Sequence, residues 1–144
     1  MRRARDIRFI DLFAGLGGFH VALSRLRSVR AYCVFACERD EELRRVYQQN
    51  FGMECAGDIR QINESEIPPH DILCAGFPCQ PFSKAGTQSG LSCTANGRLF
   101  EDHLMRIVMH HLPSAILLEN VPNLVKHNNG RTWSLMASML ESAG

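Results

Sequence analysis

The sequence predicts an α/β fold in which a mostly parallel sheet is flanked by helices. Short apolar segments alternate with helical patterns along the chain, as in βαβ units. The strand-like segments carry few polar residues, which is typical of strands buried on both faces. Residues suited to chemistry follow the strands, where parallel sheets bind their ligands. The length of 144 residues and a hydrophobic content of 45% fit one domain with a real core.

Three strands and two helices are predicted in the first half of the chain. The first strand covers Ile7–Phe13 and leads through a glycine turn into a helix. The second strand is Ala31–Cys37, and Asp40 is suited to cap the next helix, which runs to about Phe51. A weak third strand is Met53–Ala56. The first helix has an apolar face that we expect to be buried, made of Phe19, Ala22, Leu23 and Leu26.

The second half is predicted to contain two further strands and two helices. Asp71–Ala75 is the fourth strand, and a segment rich in Gly, Ser, Pro and Thr follows it at Gly76–Gly97. A loop of that length in a compact domain tends to be functional. Leu99–Leu112 reads as a helix, Ser114–Leu118 as the fifth strand and Thr132–Ser142 as the last helix.

Charge and hydropathy narrow the functional classes. The formal net charge is +1, whereas proteins that bind duplex DNA usually carry a basic face, so such a face must be local or come from another segment. No apolar run approaches the roughly 20 residues of a membrane helix. We therefore expect no membrane partner and a cytoplasmic location, or a nuclear one if the source cell has a nucleus.

The chain has six cysteines but no Cys-x-x-Cys pair, which argues against zinc and against a disulfide framework. No residue implies another metal. Cys33, Cys37 and Cys74 lie in apolar strands and are expected to be buried packing residues. Cys79 differs from them because of its neighbours.

The turn after the first strand indicates a ligand site. Gly15 and Gly17 form part of a Gly-x-Gly-x-x-Gly pattern, with His20 at the third glycine position. Glu38 ends the second strand, where an acid can accept from ribose hydroxyls, and Asp58 is suited to accept from an adenine amino group. These residues favour a nucleoside cofactor without separating NAD from S-adenosylmethionine.

A second group of residues indicates nucleophilic chemistry. The stretch Gly-Phe-Pro-Cys-Gln-Pro-Phe-Ser at 76–83 brackets Cys79 with prolines, which exclude regular structure and fix the direction of a thiol. Glu119 follows an apolar strand, so we expect a partly buried carboxyl whose pKa is raised and which stays protonated for donation. Asn120 is suited to anchor the loop by side-chain hydrogen bonds.

These motifs together resemble the cytosine-C5 DNA methyltransferase family. Phe-Ile-Asp-Leu-Phe-Ala-Gly-Leu-Gly-Gly at 9–18 is similar to its cofactor loop, and 76–83 to its nucleophile motif. Gly-Arg-Leu-Phe at 97–100 and Glu-Asn-Val at 119–121 follow in the family's order. The resemblance implies the Rossmann-like fold of methyltransferases that use S-adenosylmethionine.

The resemblance also implies roles for individual residues. Cofactor binding falls to Phe13, Ala14, Gly15, Gly17, Gly18, Glu38, Arg39, Asp58, Ile59, Pro78 and Leu99. The catalytic residues are Cys79, Glu119 and Asn120, and the contacts to double-stranded DNA are Gln80, Ser83, Lys84 and Arg98. The target cytosine is flipped out of the duplex, and Cys79 adds to its C6 atom. Glu119 hydrogen-bonds N3 and the exocyclic amino group while C5 accepts the methyl group.

The sequence departs from the family pattern in three respects. Arg39 stands where the family often has an aromatic or aliphatic residue, and Asn96 where it usually has arginine. The family's target-recognition domain and C-terminal motifs are missing from 1–144. We therefore expect a partial catalytic domain that is incomplete at its C-terminal end. It would be a fragment, one half of a split enzyme, or a domain that relies on a second chain. In each case we expect the chain to be inactive alone.

Three other functions stay open at this point. A tRNA cytosine-C5 methyltransferase would use the same chemistry. A non-catalytic regulatory subunit could retain the fold, although Cys79 and Glu119 are both present. An NAD enzyme would leave Cys79 and the Glu119–Asn120 pair without a joint role.

Overall fold

The computed structural model describes residues 6–78 and 98–144, and the chain divides into two compact units. One unit contains the chain up to Gly76 together with Pro113–Leu118, and we call it the sheet unit. The other contains Phe77–Leu112 and Glu119–Gly144, and we call it the helical unit.

The sheet unit is built on a parallel sheet of four strands in the order β2-β1-β3-β4. The strands are β1 (Ile7–Leu12), β2 (Ala31–Cys37), β3 (Ile72–Ala75) and β4 (Ala115–Leu118). The predicted parallel sheet is thus confirmed. The four strands end in register at one edge of the sheet, where the paired final residues are Cys37, Leu12, Ala75 and Leu118.

Burial is greatest in the two central strands. Phe9, Ile10 and Leu12 of β1 are fully buried, as is the β3 segment Leu73–Ala75. Apolar burial of this kind is the main stabilising term of the fold. The expectation that every strand is buried on both faces is wrong for β4, where Leu117 is 41% exposed. Alternate residues of β4 face solvent because its side chains point to opposite faces in turn.

Among the described residues, the sheet unit has two α-helices and two short 3₁₀ helices, the latter at Ile59–Gln61 and Glu64–Glu66. The first α-helix, α1 (Gly18–Ser24), follows β1, and the second, α2 (Glu41–Phe51), follows β2. Asp40 caps α2 as predicted, because its carboxylate accepts a hydrogen bond of 3.1 Å from the backbone N–H of Leu43. Gly52 ends α2 at a φ of +65°, the left-handed conformation that glycine adopts without strain.

The predicted buried face of the first helix is wrong in part. Ala22 is exposed, and Leu26 is 45% exposed. The helix ends at Ser24, so Leu26 lies in the turn beyond it and does not continue the apolar face. Phe19 and Leu23 are half-buried.

The predicted third strand, Met53–Ala56, is also wrong. Among the described residues it contributes a single parallel bridge between Cys37 and Ala56. The N–H of Ala56 donates to the carbonyl of Ala36 at 2.8 Å, and the N–H of Glu38 donates to the carbonyl of Ala56 at 3.0 Å. This short pairing still places the chain that follows, Gly57 and Asp58, next to the end of β2.

The first helix described in the helical unit starts with a π-helical turn at Leu99–Leu104. The N–H of Met105 donates to the carbonyl of Phe100, five residues earlier, as is typical of a π-helix. The turn continues as α3 (Met105–His111), so the single helix predicted over Leu99–Leu112 has two parts. The sequence pattern missed α4 (Asn123–Lys126), which is too short to show a periodicity. The last helix, α5 (Arg131–Ser142), agrees with the prediction. No helix among the described residues is long and apolar enough to cross a membrane.

Candidate functional site

The loop between β1 and α1 has an unusual backbone. Phe13 adopts a φ of +57°, and Gly15 and Gly17 have φ values of +53° and +85°. The strand therefore ends at Leu12 and not at Phe13 as predicted, because the left-handed residue turns the chain out of the sheet. A non-glycine residue in this region costs on the order of 1–3 kcal/mol, and such strain is concentrated at functional sites. We call Phe13–Gly18 the glycine loop.

Each glycine of the glycine loop has a different surrounding. A Cβ atom on Gly17 would lie 2.2 Å from Cε2 of Phe51, so a larger residue there would overlap the aromatic ring. Among the described residues, a Cβ atom on Gly15 or Gly18 would meet nothing within 4 Å, so this part of the structure leaves the space beside them open. Gly17 thus serves packing, whereas the other two leave room beside the backbone.

Glu38 holds the glycine loop through its carboxylate. One carboxylate oxygen accepts from the N–H of Gly15 at 3.0 Å, and the other accepts from the N–H of Asp40 at 2.9 Å. The structure therefore brings together Gly15 and Glu38, two of the residues predicted to bind a cofactor. Each oxygen has a second lone pair, so both can still accept from a ligand hydroxyl.

Asp58 has an internal partner that the sequence reasoning did not foresee. Its carboxylate accepts from Nε of Arg60 at 2.9 Å and from the backbone N–H of Arg60 at 3.0 Å. The hydrogen bonds from the Arg60 side chain hold the pKa of Asp58 below its ordinary value. Ile59 is only 3% exposed, which leaves almost no side-chain surface for a ligand. Arg39 is exposed, and its carbonyl accepts from Nη1 of Arg44 at 2.9 Å.

A buried polar cluster in the sheet unit was not predicted as a site. Asp11 on β1 is 1% exposed, and Tyr47 on α2 is fully buried. The Tyr47 hydroxyl lies 2.7 Å from Nδ1 of His20. The sequence held two signals of this cluster, because Asp11 interrupts an apolar strand and His20 stands in the place of a glycine.

The predicted packing role of the strand cysteines is confirmed for Cys37 and Cys74, which are buried, and Cys33 packs against the same core. Burial raises the pKa of the thiols of Cys37, Cys55 and Cys74 to about 12, so they stay protonated and unreactive at neutral pH. All four described cysteines are free thiols.

In the helical unit, Asn120 connects two segments that are distant in sequence. Its Nδ2 atom donates to the carbonyl of Phe77 at 2.9 Å, and its Oδ1 atom accepts from the N–H of Val121 at 2.9 Å. Phe77 is 5% exposed, and its ring lies 5.8 Å from that of Phe100. The Glu-Asn-Val segment is therefore tied to the backbone that precedes Pro78, which is half-buried.

Glu119 contradicts the expectation of partial burial, because its side chain is exposed. Ala115, Leu117 and Glu119 form an alternating exposed series that begins in β4 and continues past its end.

The remaining predicted residues fall into two groups. Leu99 is 7% exposed at the start of the π-helical turn, and the exposed Arg98 makes an ion pair of 2.9 Å with Asp102 one turn later. The other four lie outside the described residues: Cys79, Gln80, Ser83 and Lys84. Within 6–78 and 98–144, no three His, Cys, Asp or Glu side chains are grouped as metal ligands would be.

The model of the C-5 cytosine-specific DNA methylases matches residues 7–144. The chain belongs to this family. The resemblance carried by the glycine loop and the Glu-Asn-Val segment is thereby confirmed. The family is one of enzymes, so the prediction of a methyltransferase by family is confirmed as well.

Relatives named type II methyltransferases match almost the whole chain. "Type II methyltransferase M.HhaI" of Haemophilus parahaemolyticus is 48% identical over 139 residues, which cover 96% of this chain and 41% of the relative. "Type II methyltransferase M.NlaX" of Neisseria lactamica is 46% identical over 139 residues, covering 95% and 43%. "Type II methyltransferase M1.ScrFI" of Lactococcus lactis subsp. cremoris is 43% identical over 140 residues, covering 97% and 35%. The chain thus spans about two-fifths of the length of these relatives.

Solved structures of methyltransferases share the fold. The Entamoeba histolytica methyltransferase EhMeth has a TM-score of 0.75 at 19% identity, with 96% of this chain and 44% of that chain covered. The Dnmt2 methyltransferase of S. pombe has a TM-score of 0.70 at 23% identity, covering 92% and 41%. At these identities the similarity concerns the fold alone, and it confirms the predicted Rossmann-like methyltransferase fold.

Proposed function

We propose that this chain is the cofactor-binding and catalytic part of a DNA cytosine-C5 methyltransferase that uses S-adenosylmethionine. The observation that carries the proposal is the hydrogen bond from Asn120 to the carbonyl of Phe77. It joins the Glu-Asn-Val segment to the chain two residues before Cys79, so the proposed nucleophile and the proposed proton donor stand on connected backbone. The membership of the family supports the same chemistry.

The glycine loop fits a nucleoside cofactor. The open space beside Gly15 and Gly18 allows a ligand to approach the backbone closely. The donor set is also appropriate, because the Glu38 carboxylate has free lone pairs for the two hydroxyls of a ribose. Leu16 is 64% exposed in the same loop and offers apolar surface.

We assign the cofactor contacts accordingly. Phe13 to Gly18 would surround the ligand and Glu38 would hold the ribose. Asp58 and Arg39 would meet the base together with the backbone of Ile59, because the Ile59 side chain is buried. Pro78 and Leu99 in the helical unit are assigned to the same ligand on the family resemblance alone. When bound, S-adenosylmethionine supplies an electrophilic methyl group.

The chemistry belongs to Cys79 and Glu119. The thiolate of Cys79 adds to C6 of the flipped cytosine, which makes C5 nucleophilic. Glu119 donates a hydrogen bond to N3 and accepts one from the exocyclic amino group, so it stabilises the charge pushed into the ring. After methylation, C5 loses its proton and the bond to Cys79 breaks, which restores the aromatic ring. Asn120 keeps the two segments in register.

Double-stranded DNA is the proposed substrate, contacted by Gln80, Ser83, Lys84 and Arg98. The ion pair of Arg98 with Asp102 would have to open for a phosphate contact. A second chain or a further segment with a target-recognition domain is the proposed source of sequence specificity, and the proposed location is the cytoplasm, or the nucleus of a nucleated cell.

The deciding experiment uses tritiated S-adenosylmethionine and mixed-sequence duplex DNA. The purified chain is assayed alone and together with the C-terminal part of the M.HhaI-type relative, and product bases are separated to locate the label. Cys79→Ala is the test variant, and Cys93→Ala is the matched control because both substitutions remove one thiol from the same stretch of sequence.

The proposal requires label on C5 of cytosine with the parent and with Cys93→Ala, and none with Cys79→Ala. Binding of S-adenosylhomocysteine should stay within about twofold in all three proteins, because the thiol is not assigned to the cofactor. Label that persists in Cys79→Ala would contradict the covalent mechanism. Transfer to tRNA in preference to duplex DNA would support the RNA-modifying alternative.

A further inference from the structure

A buried polar cluster in the sheet unit is not used by the proposed reaction. The hydroxyl of Tyr47 lies 2.7 Å from Nδ1 of His20, 3.5 Å from Oδ2 of Asp11 and 3.6 Å from Sγ of Cys33. Burying polar groups costs stability even when they are paired, and an apolar set of similar size would pack as well. The cluster therefore needs a reason beyond filling the core.

The cluster lies next to the start of α1. Gly17 is the residue before this helix, and it has no side chain that could accept from the first turn. His20, the third residue of the helix, belongs to the cluster through its side chain.

The side chain of His20 links α1 to α2. Its ring is stacked on Phe51 with centroids 3.9 Å apart and planes 10° from parallel. In a Gly-x-Gly-x-x-Gly pattern a third glycine would let the helix pack closely at this position. Here an aromatic ring fills the place, and a hydrogen bond to Tyr47 fixes its orientation.

The same two residues of α2 also contact the glycine loop. A Cβ atom on Gly17 would lie 2.2 Å from Phe51 and 3.1 Å from Cε2 of Tyr47. Any movement of these rings would therefore change the space available to Gly17. The loop conformation depends on the hydrogen bonds that keep the Tyr47 ring in place.

We propose that Tyr47 and His20 are positioning residues, whose mutual hydrogen bond and link to Asp11 hold the glycine loop in the conformation that binds the cofactor. The inference rests on the proposed function for the identity of the ligand, but its geometry lies wholly within the sheet unit.

The protons of the cluster have two consistent arrangements. If Asp11 is ionised, Tyr47 donates to it, and the Nδ1–H of His20 donates to the phenol oxygen. If Asp11 is protonated, it donates to the phenol oxygen, and Tyr47 donates to Nδ1 of a His20 ring whose proton is on Nε2. Tyr47 has one hydroxyl proton, and sulfur is a weaker acceptor than oxygen or nitrogen, so the Cys33 sulfur at 3.6 Å should not compete for it and both ends should reverse together.

The reversal is expected near neutral pH. Burial raises the pKa of Asp11 to about 7, and burial lowers the pKa of His20, so the imidazole stays neutral while Asp11 titrates. The titratable groups that act on Asp11 from the surrounding elements are His20, Tyr47, Glu38, Cys33, Cys37, Cys55 and Cys74. The tautomer of His20 should therefore follow the charge of Asp11, which side-chain packing alone would not produce.

The test compares Tyr47→Phe with Tyr32→Phe. The chain has two tyrosines, and Tyr32 on β2 is 39% exposed, so the control removes the same hydroxyl from the same unit. His20→Phe is a second test variant that keeps a ring to stack on Phe51 but loses the nitrogen. Three quantities are measured: amide hydrogen exchange at residues 14–20, the Kd of S-adenosylhomocysteine, and the ¹⁵N shifts of the His20 ring from about pH 6 to 8.

We expect Tyr47→Phe to speed loop exchange and to raise the Kd by about tenfold or more, while exchange in β3 is unchanged. The pH-dependent tautomer change of His20 should disappear. Tyr32→Phe should shift each quantity by less than about twofold.

Loop exchange that is the same in Tyr47→Phe and Tyr32→Phe would overturn the inference, as would a parent His20 that keeps one tautomer throughout. If Tyr47→Phe does not fold, His20→Phe decides by the same criteria. If the parent does not bind S-adenosylhomocysteine, the proposed function is contradicted, and loop exchange together with the tautomer still decides the positioning role.

Discussion

The glycine loop and the Glu-Asn-Val segment are held in different ways. In the sheet unit, the loop is fixed from two sides: Gly15 by the Glu38 carboxylate and Gly17 by the Phe51 ring. In the helical unit, Asn120 makes one hydrogen bond across 43 residues of sequence, and Glu119 beside it is exposed.

The difference indicates which substitutions affect the fold and which affect only the chemistry. Gly17 of the glycine loop cannot be changed without disturbing α2, because a larger residue there would overlap the Phe51 ring and crowd Tyr47. Glu119 has solvent beside it, so its replacement should leave the fold intact. The glycine loop is therefore held in place by packed side chains, whereas Glu119, the proposed proton donor, is exposed to solvent.

Gly17→Ala should have the largest effect on stability. The methyl group would overlap the Phe51 ring, and alanine is strained at a φ of +85°. The two penalties together should lower the free energy of unfolding by about 3 kcal/mol. Urea denaturation followed by circular dichroism measures this change.

Gly18→Ala is the matched control for Gly17→Ala. A Cβ atom at Gly18 meets no atom of residues 6–78 or 98–144 within 4 Å, so stability should change by less than about 0.5 kcal/mol. The added methyl group would nevertheless occupy the open space assigned to the cofactor and should weaken S-adenosylhomocysteine binding. Equal destabilisation by both alanines would show that packing against Phe51 does not distinguish the two glycines.

Glu119→Gln should act on the reaction and not on the fold. An amide of the same shape cannot supply the acidic proton to N3, so the single-turnover rate of methyl transfer should fall by more than about tenfold, or about 1.4 kcal/mol. The free energy of unfolding should stay the same, because the side chain is exposed. Glu141→Gln, at another exposed site of the helical unit, is the control. An unchanged rate would remove Glu119 from the mechanism.

Asn120→Ala should have a smaller effect, which falls on both the stability of the fold and the rate of methyl transfer. The substitution removes the donor to the Phe77 carbonyl and should cost about 1 kcal/mol of stability. The rate should fall as well, because the chain before Cys79 loses its anchor, but binding of S-adenosylhomocysteine should be preserved. The exposed Asn50→Ala serves as the control in the same denaturation assay. Loss of cofactor binding in Asn120→Ala would indicate that the two functions are not separable in this way.

Much of the fold was predictable because it depends on local pattern. The strands of the parallel sheet follow from short apolar runs, and the start of α2 follows from Asp40. The prediction of a weak strand at Met53–Ala56 was wrong, because among the described residues this segment pairs with β2 only through one bridge between Ala56 and Cys37. The four-residue α4 lacked any periodic signal.

The contacts of individual site residues were predictable from the sequence only in part. The sequence pointed to Gly15 and Glu38, and the hydrogen bond between them agrees with that grouping. It did not indicate that Glu119 is exposed, because the exposure depends on which face of β4 is covered. The partners Tyr47 of Asp11 and Arg60 of Asp58 were also missed, since side-chain direction is a property of the folded chain.

Arg60→Gln should have the smallest effect. It tests whether Arg60, the charge partner of Asp58, lowers the pKa of that carboxyl in solution. The Arg60 side chain is 40% exposed, so its replacement should lower the free energy of unfolding at neutral pH only slightly. The pKa of Asp58 should return towards its ordinary value, as read from ¹³C shifts of its carboxyl. Because the parent pKa is lowered, the pair's contribution is present above the ordinary pKa and is lost as the pH falls through the lowered one. The variant should therefore lose less stability than the parent over that acidic range, and a parent-like acid response would show that Arg60 does not act on Asp58 in solution.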